Sequence, residues 1–187
     1  MSTETTQNGP VQIRIAGYGG QGVILTGMLL GKAASLYDAK EAVFTQSYGP
    51  EARGGASSAD VVISSDPIDY PLVTEPDILV TLFQEAYSKY RSSLKPGGTL
   101  IVESDLVHTN GDANVAGLPA SRMAETIGRR IVANVVVFGY LVGKTGVISK
   151  EAAIKAIEAT VKPKTYELNL KAFSAGYARA TEESGRE

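Results

Sequence analysis

The sequence predicts a single Rossmann-like α/β domain, with a mainly parallel sheet flanked by helices and a helical C-terminal portion. The β-branched run VQIRIA leads into the glycine cluster GYGGQG and then into a helix-compatible segment. The apolar run in DILVTLF is of the kind that a strand buried on both faces requires. From Ser121 onward the pattern becomes helical. Because 187 residues suffice for one substantial core, we expect residues 11–187 to form this domain after a short disordered leader, residues 1–10.

The first half of the chain is predicted to begin with a strand, a tight turn and a helix. The strand covers Val11 to Ala16, and the helix is VILTGMLLGKAASLY, whose apolar residues recur near helical spacing. Further strands are predicted at about Glu41 to Thr45 and at Ser58 to Ser64. The three prolines of PIDYPLVTEP exclude regular structure across most of that segment.

The second half continues with a buried strand, a helix and another strand. The strand is Asp77 to Phe83, the helix is QEAYSKYRSSL, and the segment KPGGTLIVESD supplies a glycine-bounded turn and the next strand. This order favours parallel strands with helices on the faces of the sheet. Four helical segments then follow, namely SRMAETIG, RRIVANVVVFGYLVGKTG, SKEAAIKAIEATV and ELNLKAFSAGYARATEES, and Ser149 suits the N-cap of the third.

The composition excludes several classes of function. With 18 basic and 20 acidic side chains, the formal charge of -2 disfavours nucleic acid and anionic membranes as partners. The chain has no cysteine, which excludes disulfides, a thiolate nucleophile and any iron-sulfur cluster bound by cysteines of this chain. No secretory signal and no run of about 18 apolar residues is present, so we expect a cytoplasmic protein. The one histidine, His108, is interpreted as part of a solvated loop.

The glycine cluster matches the spacing G-x-G-x-x-G between a strand and a helix. In that setting the free N–H groups at the helix N-terminus can bind an anion. A ribose-binding acid is expected about 20 residues later, at the end of the second strand, but Phe44-Thr45-Gln46 stands there. Two interpretations stay open: a phosphate or pyrophosphate site without ribose recognition, and a structural tight turn. The candidate anion-binding residues are Gly17, Gly19, Gly20, Gln21 and Gly22.

The loop SYGPEARGG concentrates polar groups between two pairs of chain-bending residues. Arg53 can bind a carboxylate or phosphate in bidentate fashion, and Glu51 can hold its guanidinium when no ligand is present. The alternative is a structural salt bridge between the two side chains. We expect this loop and the glycine turn to share one edge of the sheet, where ligands bind in such folds. The candidate interface or substrate-adjacent residues are Tyr48, Glu51, Arg53, Gly54 and Gly55.

The sequence contains no self-sufficient catalytic set. No H-E-x-x-H, P-loop, nucleophile elbow or thiamine diphosphate motif is present, and no histidine lies near the glycine turn or the polar loop. We therefore assign no catalytic residue and no metal ligand to this chain. One functional hypothesis that follows is a stand-alone nucleotide-binding domain that uses the GYGGQG turn.

Four segments together resemble the gamma subunit of 2-oxoacid:ferredoxin oxidoreductases. They are IRIAGYGGQGVILTGMLLGKAA, TQSYGPEARGGASSADVVISSDPIDYP, DILVTLFQEAY and IVANVVVFGYLVGKTGVISKEA. The similarity spans almost the whole chain after the leader, and the wording SYGPEARGG is most similar to the 2-oxoglutarate type. Gamma-type subunits of enzymes for pyruvate, branched-chain 2-oxoacids or indolepyruvate are the alternatives within the family.

The resemblance implies an oxidative decarboxylation or its reverse. A 2-oxoacid and coenzyme A become acyl-CoA and CO2, and the electrons pass to ferredoxin. It also implies that thiamine diphosphate, Mg2+ and [4Fe-4S] clusters are bound by other subunits, while this chain is an accessory subunit beside alpha, beta and in some assemblies delta subunits. The absence of cysteine agrees with that division.

Overall fold

A computed structural model describes residues 9–48, 56–112 and 115–185 of the chain. These residues form one six-stranded sheet with helices on both of its faces. The strands are β1 (Val11–Tyr18), β2 (Glu41–Tyr48), β3 (Ala56–Ser64), β4 (Ile78–Thr81), β5 (Thr99–Glu103) and β6 (Val115–Leu118).

The strand order is β2-β3-β1-β4-β5-β6. Strand β3 runs antiparallel to both of its neighbours, β2 and β1, whereas β1, β4, β5 and β6 pair in parallel. Strand β2 therefore points in the same direction as β1, although β3 separates the two. The predicted Rossmann-like α/β class with a mainly parallel sheet is confirmed, with an antiparallel β2–β3 pair at one edge.

Four strands differ from their predicted extents, and one strand was not predicted. Strand β3 begins at Ala56 rather than at Ser58, and β4 covers Ile78–Thr81 rather than Asp77 to Phe83. Strand β6 was not predicted, because its sequence VAGL is short, contains a glycine and follows a polar segment. Strand β2 continues to Tyr48, since its last residues pair with β3 as far as Ser57. Strand β1 likewise continues to Tyr18, which lies opposite Ala56. Pairing with β3 thus carries both strands beyond the limits that local sequence indicates.

Six α-helices lie within the described residues, and their order agrees with the predicted helical segments. They are α1 (Val23–Tyr37), α2 (Gln84–Tyr90), α3 (Ala120–Ile127), α4 (Ala133–Thr145), α5 (Lys150–Glu158) and α6 (Tyr166–Ser184). A 3-10 turn at Arg130–Val132 precedes α4, so this helix begins later than predicted. The predicted N-cap is confirmed, because Ser149 Oγ accepts a hydrogen bond from Ala152 N at 3.1 Å.

The two faces of the sheet carry hydrophobic layers of unequal size. The larger core lies between the sheet and helices α1, α3, α4, α5 and α6, and Ile15 and Val80 contribute to it from β1 and β4. The smaller core lies under α2, where Tyr87 packs with Leu79 and Leu100. Alternation along β4 explains the division, since successive side chains point to opposite faces.

Helices α4 and α6 pack against each other at glycines. A Cβ atom added at Gly176 would lie 1.9 Å from Val136 O, and one added at Gly139 would lie 2.0 Å from Phe173 O. The absent side chains let the two backbones approach closely, and this contact fixes α4 beneath the sheet.

Within the described part of the chain, no helix combines the length and the apolar character that a membrane span needs.

Candidate functional site

The glycine turn lies between the end of β1 and the start of α1. Gln21 fixes its shape, because Oε1 accepts from Tyr18 N at 2.6 Å and Nε2 donates to Leu82 O at 2.9 Å. The Gln21 backbone N–H also donates to Tyr18 O at 3.1 Å. Both ends of this carboxamide therefore connect the turn to itself and to the residue that follows β4. The structure accordingly gives Gln21 partners inside its own chain.

The glycines of the turn have different environments. A Cβ atom at Gly17 would lie 2.6 Å from Gln21 Oε1, and one at Gly22 would lie 2.6 Å from Asn134 Cγ. Gly22 also has a φ of 74° and is the N-cap of α1. At these two positions a side chain would overlap its neighbours, whereas Gly19 and Gly20 form the exposed tip of the turn. The turn is thus a tight, closely packed connection, and its predicted role in anion binding stays a prediction.

The strand residues on either side of residues 49–55 of the polar loop lie at the same edge of the sheet as the glycine turn. Tyr48, the last residue of β2, is 64% exposed and lies opposite Ser57. Ala56, the first residue of β3, lies opposite Tyr18, which opens the glycine turn. The register of β3 therefore brings the two features to one edge, although β1 and β2 are not adjacent. The remaining predicted residues of the loop, Glu51, Arg53, Gly54 and Gly55, lie outside the described residues.

A cleft of about 330 Å³ opens beside the glycine turn, at the carboxyl ends of β1, β4 and β5. It is bounded by the turn on one side and by the starts of α3 and α4 on the other. This position is where ligands bind in open α/β sheets. The polar residues of its lining are Gln21, Glu103, Ser121, Arg130 and Asn134.

Glu103 ends β5 and is 3% exposed. Its Oε2 accepts from Ser121 N at 2.9 Å at the start of α3, and its Oε1 accepts from Asp105 N at 3.3 Å. The carboxylate thus satisfies a free N–H of the helix and interacts favourably with its positive end. In the sequence, Glu103 is the acid that directly follows the apolar residues of TLIVE. That position at the end of a buried strand could have indicated it.

The starts of α3 and α4 contribute residues that the sequence analysis did not single out. Arg130 is exposed, and its Nη1 lies 3.8 Å from Glu125 Oε1, so this ion pair is long. Ile131, beside it, is 78% exposed. Asn134 is buried and lies against Gly22. Nothing in the local sequence of α4 indicated that its first turn would face a glycine turn more than a hundred residues earlier.

A separate polar cluster lies on the other face of the sheet. Arg91 Nε donates to Asp112 Oδ2 at 2.6 Å, and the Tyr87 hydroxyl donates to the same oxygen at 2.5 Å. Hydrogen bonds from Arg91 and Tyr87 lower the pKa of Asp112 below its ordinary value. His108 lies nearby and is exposed, with its backbone N–H donating to Gln84 Oε1 at 2.7 Å, as expected for a loop residue. The cluster connects the loop after β5 to α2 and is structural.

The described residues contain no group of three or more His, Cys, Asp or Glu side chains arranged to hold a metal ion. The polar groups at the carboxyl edge of the sheet are instead hydrogen-bond donors and one buried carboxylate. Their arrangement can position a ligand or a partner surface.

Comparison with known proteins gives a family and several relatives. Residues 12–179 match the family described as Pyruvate ferredoxin/flavodoxin oxidoreductase. The chain is 53% identical over 176 residues to the 2-oxoglutarate synthase subunit KorC of Methanocaldococcus jannaschii, covering 91% of this chain and 94% of that protein.

Two solved structures share the fold. The gamma subunit of a keto/oxoacid ferredoxin oxidoreductase from Geobacter sulfurreducens is 47% identical, with a TM-score of 0.84 over 92% of this chain and 97% of that one. The 2-oxoglutarate:ferredoxin oxidoreductase from Magnetococcus marinus, solved with 2-oxoglutarate, coenzyme A and succinyl-CoA bound, is 23% identical. Its TM-score is 0.83 over 92% of this chain and 31% of that chain, which shows a shared fold.

Proposed function

Because the chain belongs to the pyruvate ferredoxin/flavodoxin oxidoreductase family, we propose that it is the gamma subunit of a 2-oxoglutarate:ferredoxin oxidoreductase. The complex converts 2-oxoglutarate, coenzyme A and oxidised ferredoxin to succinyl-CoA, CO2 and reduced ferredoxin, or runs in reverse. The observation that carries the proposal is the 53% identity to a 2-oxoglutarate synthase subunit, over nearly the full length of both chains.

The chain acts in this complex as an accessory subunit in the cytoplasm. Thiamine diphosphate, Mg2+ and [4Fe-4S] clusters are held by the alpha, beta and, where present, delta subunits. This chain interacts with ferredoxin only as part of the complex. Two observations support this division. The chain contains no cysteine that could bind a cluster, and the glycine turn uses its one side-chain amide, that of Gln21, for hydrogen bonds within the chain.

The carboxyl edge of the sheet is the part of the chain that faces the site of the reaction in the complex. The glycine turn lies there, together with Tyr48 and Ala56, the described residues on either side of residues 49–55, and Tyr48 is largely exposed. Arg53 and Glu51 pair across a contact with a neighbouring subunit or near the entry of coenzyme A. Exposed aromatic residues and arginines are typical of the residues that dominate binding at protein interfaces.

The activity is tested on the assembled complex. The chain is co-expressed with the subunits that co-purify with it, and reduction of a viologen dye is followed with each 2-oxoacid in turn. We expect reduction that depends on both 2-oxoglutarate and coenzyme A, and that is lost when this chain is omitted. Preference for pyruvate, a branched-chain 2-oxoacid or indolepyruvate would contradict the substrate assignment. Tight binding of NAD or FAD by the chain alone, measured by calorimetry, would favour a stand-alone nucleotide-binding domain.

The role of the polar loop is tested with Arg53→Gln in the same complex. Loss of the guanidinium removes a bidentate donor, so we expect either weaker assembly or a higher KM for coenzyme A with little change in KM for 2-oxoglutarate. Lys164→Gln is the matched control, because it removes one positive charge from an exposed position between α5 and α6. Equal assembly and equal kinetics for the two variants would contradict the proposed role of Arg53.

A further inference from the structure

The two edge strands of the sheet differ in how much backbone they leave open to pairing. Strand β6 has four residues, whereas β2 has eight and pairs only with β3 among the described residues. Natural edge strands are commonly blunted by shortness, lysine, proline or a bulge. Strand β6 is short, but β2 contains no lysine, proline or glycine, and its register with β3 runs without a bulge from Glu41 to Tyr48. The outer side of β2 is therefore suited to pair with another strand.

Helix α1 lies above the gap between β2 and β3, close to this edge. A Cβ atom added at Gly27 would lie 2.6 Å from Ala59 Cβ in β3 and 2.9 Å from Phe44 Cε2 in β2. One added at Gly31 would lie 3.5 Å from Phe44 Cβ. Since Phe44 is near the middle of β2, the middle of α1 lies above the middle of the edge strand.

The side of α1 next to the outer edge of β2 is uncharged. The helical repeat places Ile24, Met28 and Ser35 there, because each lies within about 60° of Gly31 around the helix, on the side away from Gly27. Met28 is 40% exposed and Ser35 is also exposed. The one charged residue of α1, Lys32, donates instead to the turn after α5, at 3.1 and 3.3 Å. An exposed methionine thus stands beside an open strand edge.

A second copy of this chain fits that edge in both layers. Antiparallel pairing of two β2 strands about a two-fold axis places them about 4.8 Å apart. Because α1 lies one strand spacing from that axis, the two α1 helices come to lie about 10 Å apart, which is within the range of packed helices. A sheet twist of about 20–25° per strand turns them by about 40–50°, close to the commonest crossing angle.

The charges of this surface also suit pairing with itself. Glu41, the first residue of β2, is the only charged residue of the strand. In a centred antiparallel pair, the two Glu41 side chains lie at opposite ends, each opposite Tyr48 of the other copy. Met28 lies next to the axis, where a side chain meets its own copy and a charge would repel itself. An uncharged residue at that position is what self-association requires.

We propose that two copies of this chain associate through β2 and α1, so that their sheets form one continuous sheet across a two-fold axis. The unpaired backbone groups of β2 bind those of the copy, and Ile24 and Met28 of the two helices pack together. The contact goes beyond the proposed function, because it concerns how two copies meet. It can fail while the complex stays active, so the two proposals are tested separately.

Sedimentation equilibrium of the purified full-length chain tests the contact, and we expect a dimer. Met28→Lys places like charges beside each other at the axis, so the dissociation constant of the dimer should rise at least tenfold and recover in part at high salt. Leu36→Lys is the matched control. Leu36 is 62% exposed and follows Gly27 by nine residues, which puts it on the opposite side of α1. A monomeric wild type, or equal dissociation constants for the two variants, would overturn the proposal.

Gln46→Lys tests the strand pairing. Gln46 is exposed in β2, and lysine is a residue with which natural proteins protect edge strands. We expect a monomer whose urea midpoint equals that of the monomeric Met28→Lys chain. A dimer as tight as the wild type would contradict pairing through β2.

Cross-linking identifies the occupant of this edge in the assembled complex. The chain has no cysteine, so Met28→Cys gives it a single thiol. A short bismaleimide should join two copies of this variant, both as the isolated chain and within the complex, and should join far fewer copies of Leu36→Cys. Cross-linking of Met28→Cys only to a different subunit, or no product that contains two copies, would overturn the proposal.

Discussion

Replacement of Gly176 by alanine tests how closely the helical half of the chain is packed. A Cβ atom at this position would lie 1.9 Å from Val136 O and 2.9 Å from Tyr140 N, both backbone atoms of α4. Real Cβ contacts are almost never shorter than 3.0 Å, so α4 and α6 must separate by about 1 Å at this point. The helices form one of the main contacts of the larger core, and their separation opens gaps among buried side chains.

The expected change in stability is the balance of two terms. Overpacking of a core costs about 1–3 kcal/mol, and a clash between two backbones belongs at the upper end of that range. Alanine in a helix interior is better than glycine by about 1 kcal/mol. The net loss in the free energy of unfolding is therefore about 2 kcal/mol. For a chain of this length such a loss lowers Tm by about 4–8 °C.

The measurement is urea unfolding of the isolated chain, followed by circular dichroism. Gly31→Ala in α1 is the control, because the nearest atom to its added Cβ is Phe44 Cβ at 3.5 Å, an ordinary contact. That variant should gain up to about 1 kcal/mol from helix propensity alone. The two alanines should thus shift the urea midpoint in opposite directions with the same slope. A Gly176→Ala chain that is as stable as the wild type would refute the close contact between α4 and α6.

Substitutions at three further positions have defined outcomes. Gly22→Ala should lower the free energy of unfolding by about 2 kcal/mol or more in urea, because alanine is strained at a φ of 74° and its Cβ would overlap Asn134; a loss below 0.5 kcal/mol would contradict the geometry of the turn. Ser149→Ala should lose about 1 kcal/mol through removal of the N-cap of α5, whereas Ser149→Thr should retain most of the stability. Burial and the hydrogen bond to Glu183 raise the pKa of Tyr140 above its ordinary value of 10.0, so the stability that this tyrosine contributes is complete below about pH 10 and is lost as the pH rises toward the folded pKa. Tyr140→Phe should accordingly lose less stability than the wild type between about pH 9 and pH 11, and parallel losses in the two proteins would refute the assignment.

The fold class followed from sequence patterns that are local. Helix α1 begins at Val23 and ends at Tyr37, the same residues as the predicted segment VILTGMLLGKAASLY, because a glycine turn precedes it and its apolar spacing is regular. Residues 78–81 are buried as predicted from their apolar run. The resemblance to gamma subunits of the 2-oxoglutarate type is confirmed by the 53% identity to KorC. The boundaries of a single domain at residues 11–187, with a leader before it, stay predictions.

The parts that were not predicted depend on contacts between distant segments. The reversal of β3 follows from its pairing with both β2 and β1, and nothing in SADVVIS distinguishes a parallel from an antiparallel strand. The cleft residues Arg130 and Asn134 were read as part of a helix, since their relation to the glycine turn arises only when α4 packs on α1. For Arg53 and Glu51, which lie outside the described residues, the roles stay predictions.

The carboxyl edge of the sheet is built from both halves of the chain. No side chain fits at Gly22, because Asn134 occupies that space. Helix α4, which carries Asn134, packs against α6 at Gly139 and Gly176. The buried Nδ2 of Asn134 has no hydrogen-bond partner among the described residues, which lowers the stability of the chain, so the packing of α4 must supply the free energy that keeps it in place. The helical C-terminal portion therefore supports the carboxyl edge of the sheet as well as the core, and Gly176→Ala should loosen the first turn of α4 against the glycine turn as well as lower stability. Hydrogen exchange of the backbone amides of α1 and α4 in that variant, at a temperature where it is fully folded, separates the two effects: unchanged protection at the first turns of both helices would mean that α4 keeps its place without the glycine contact.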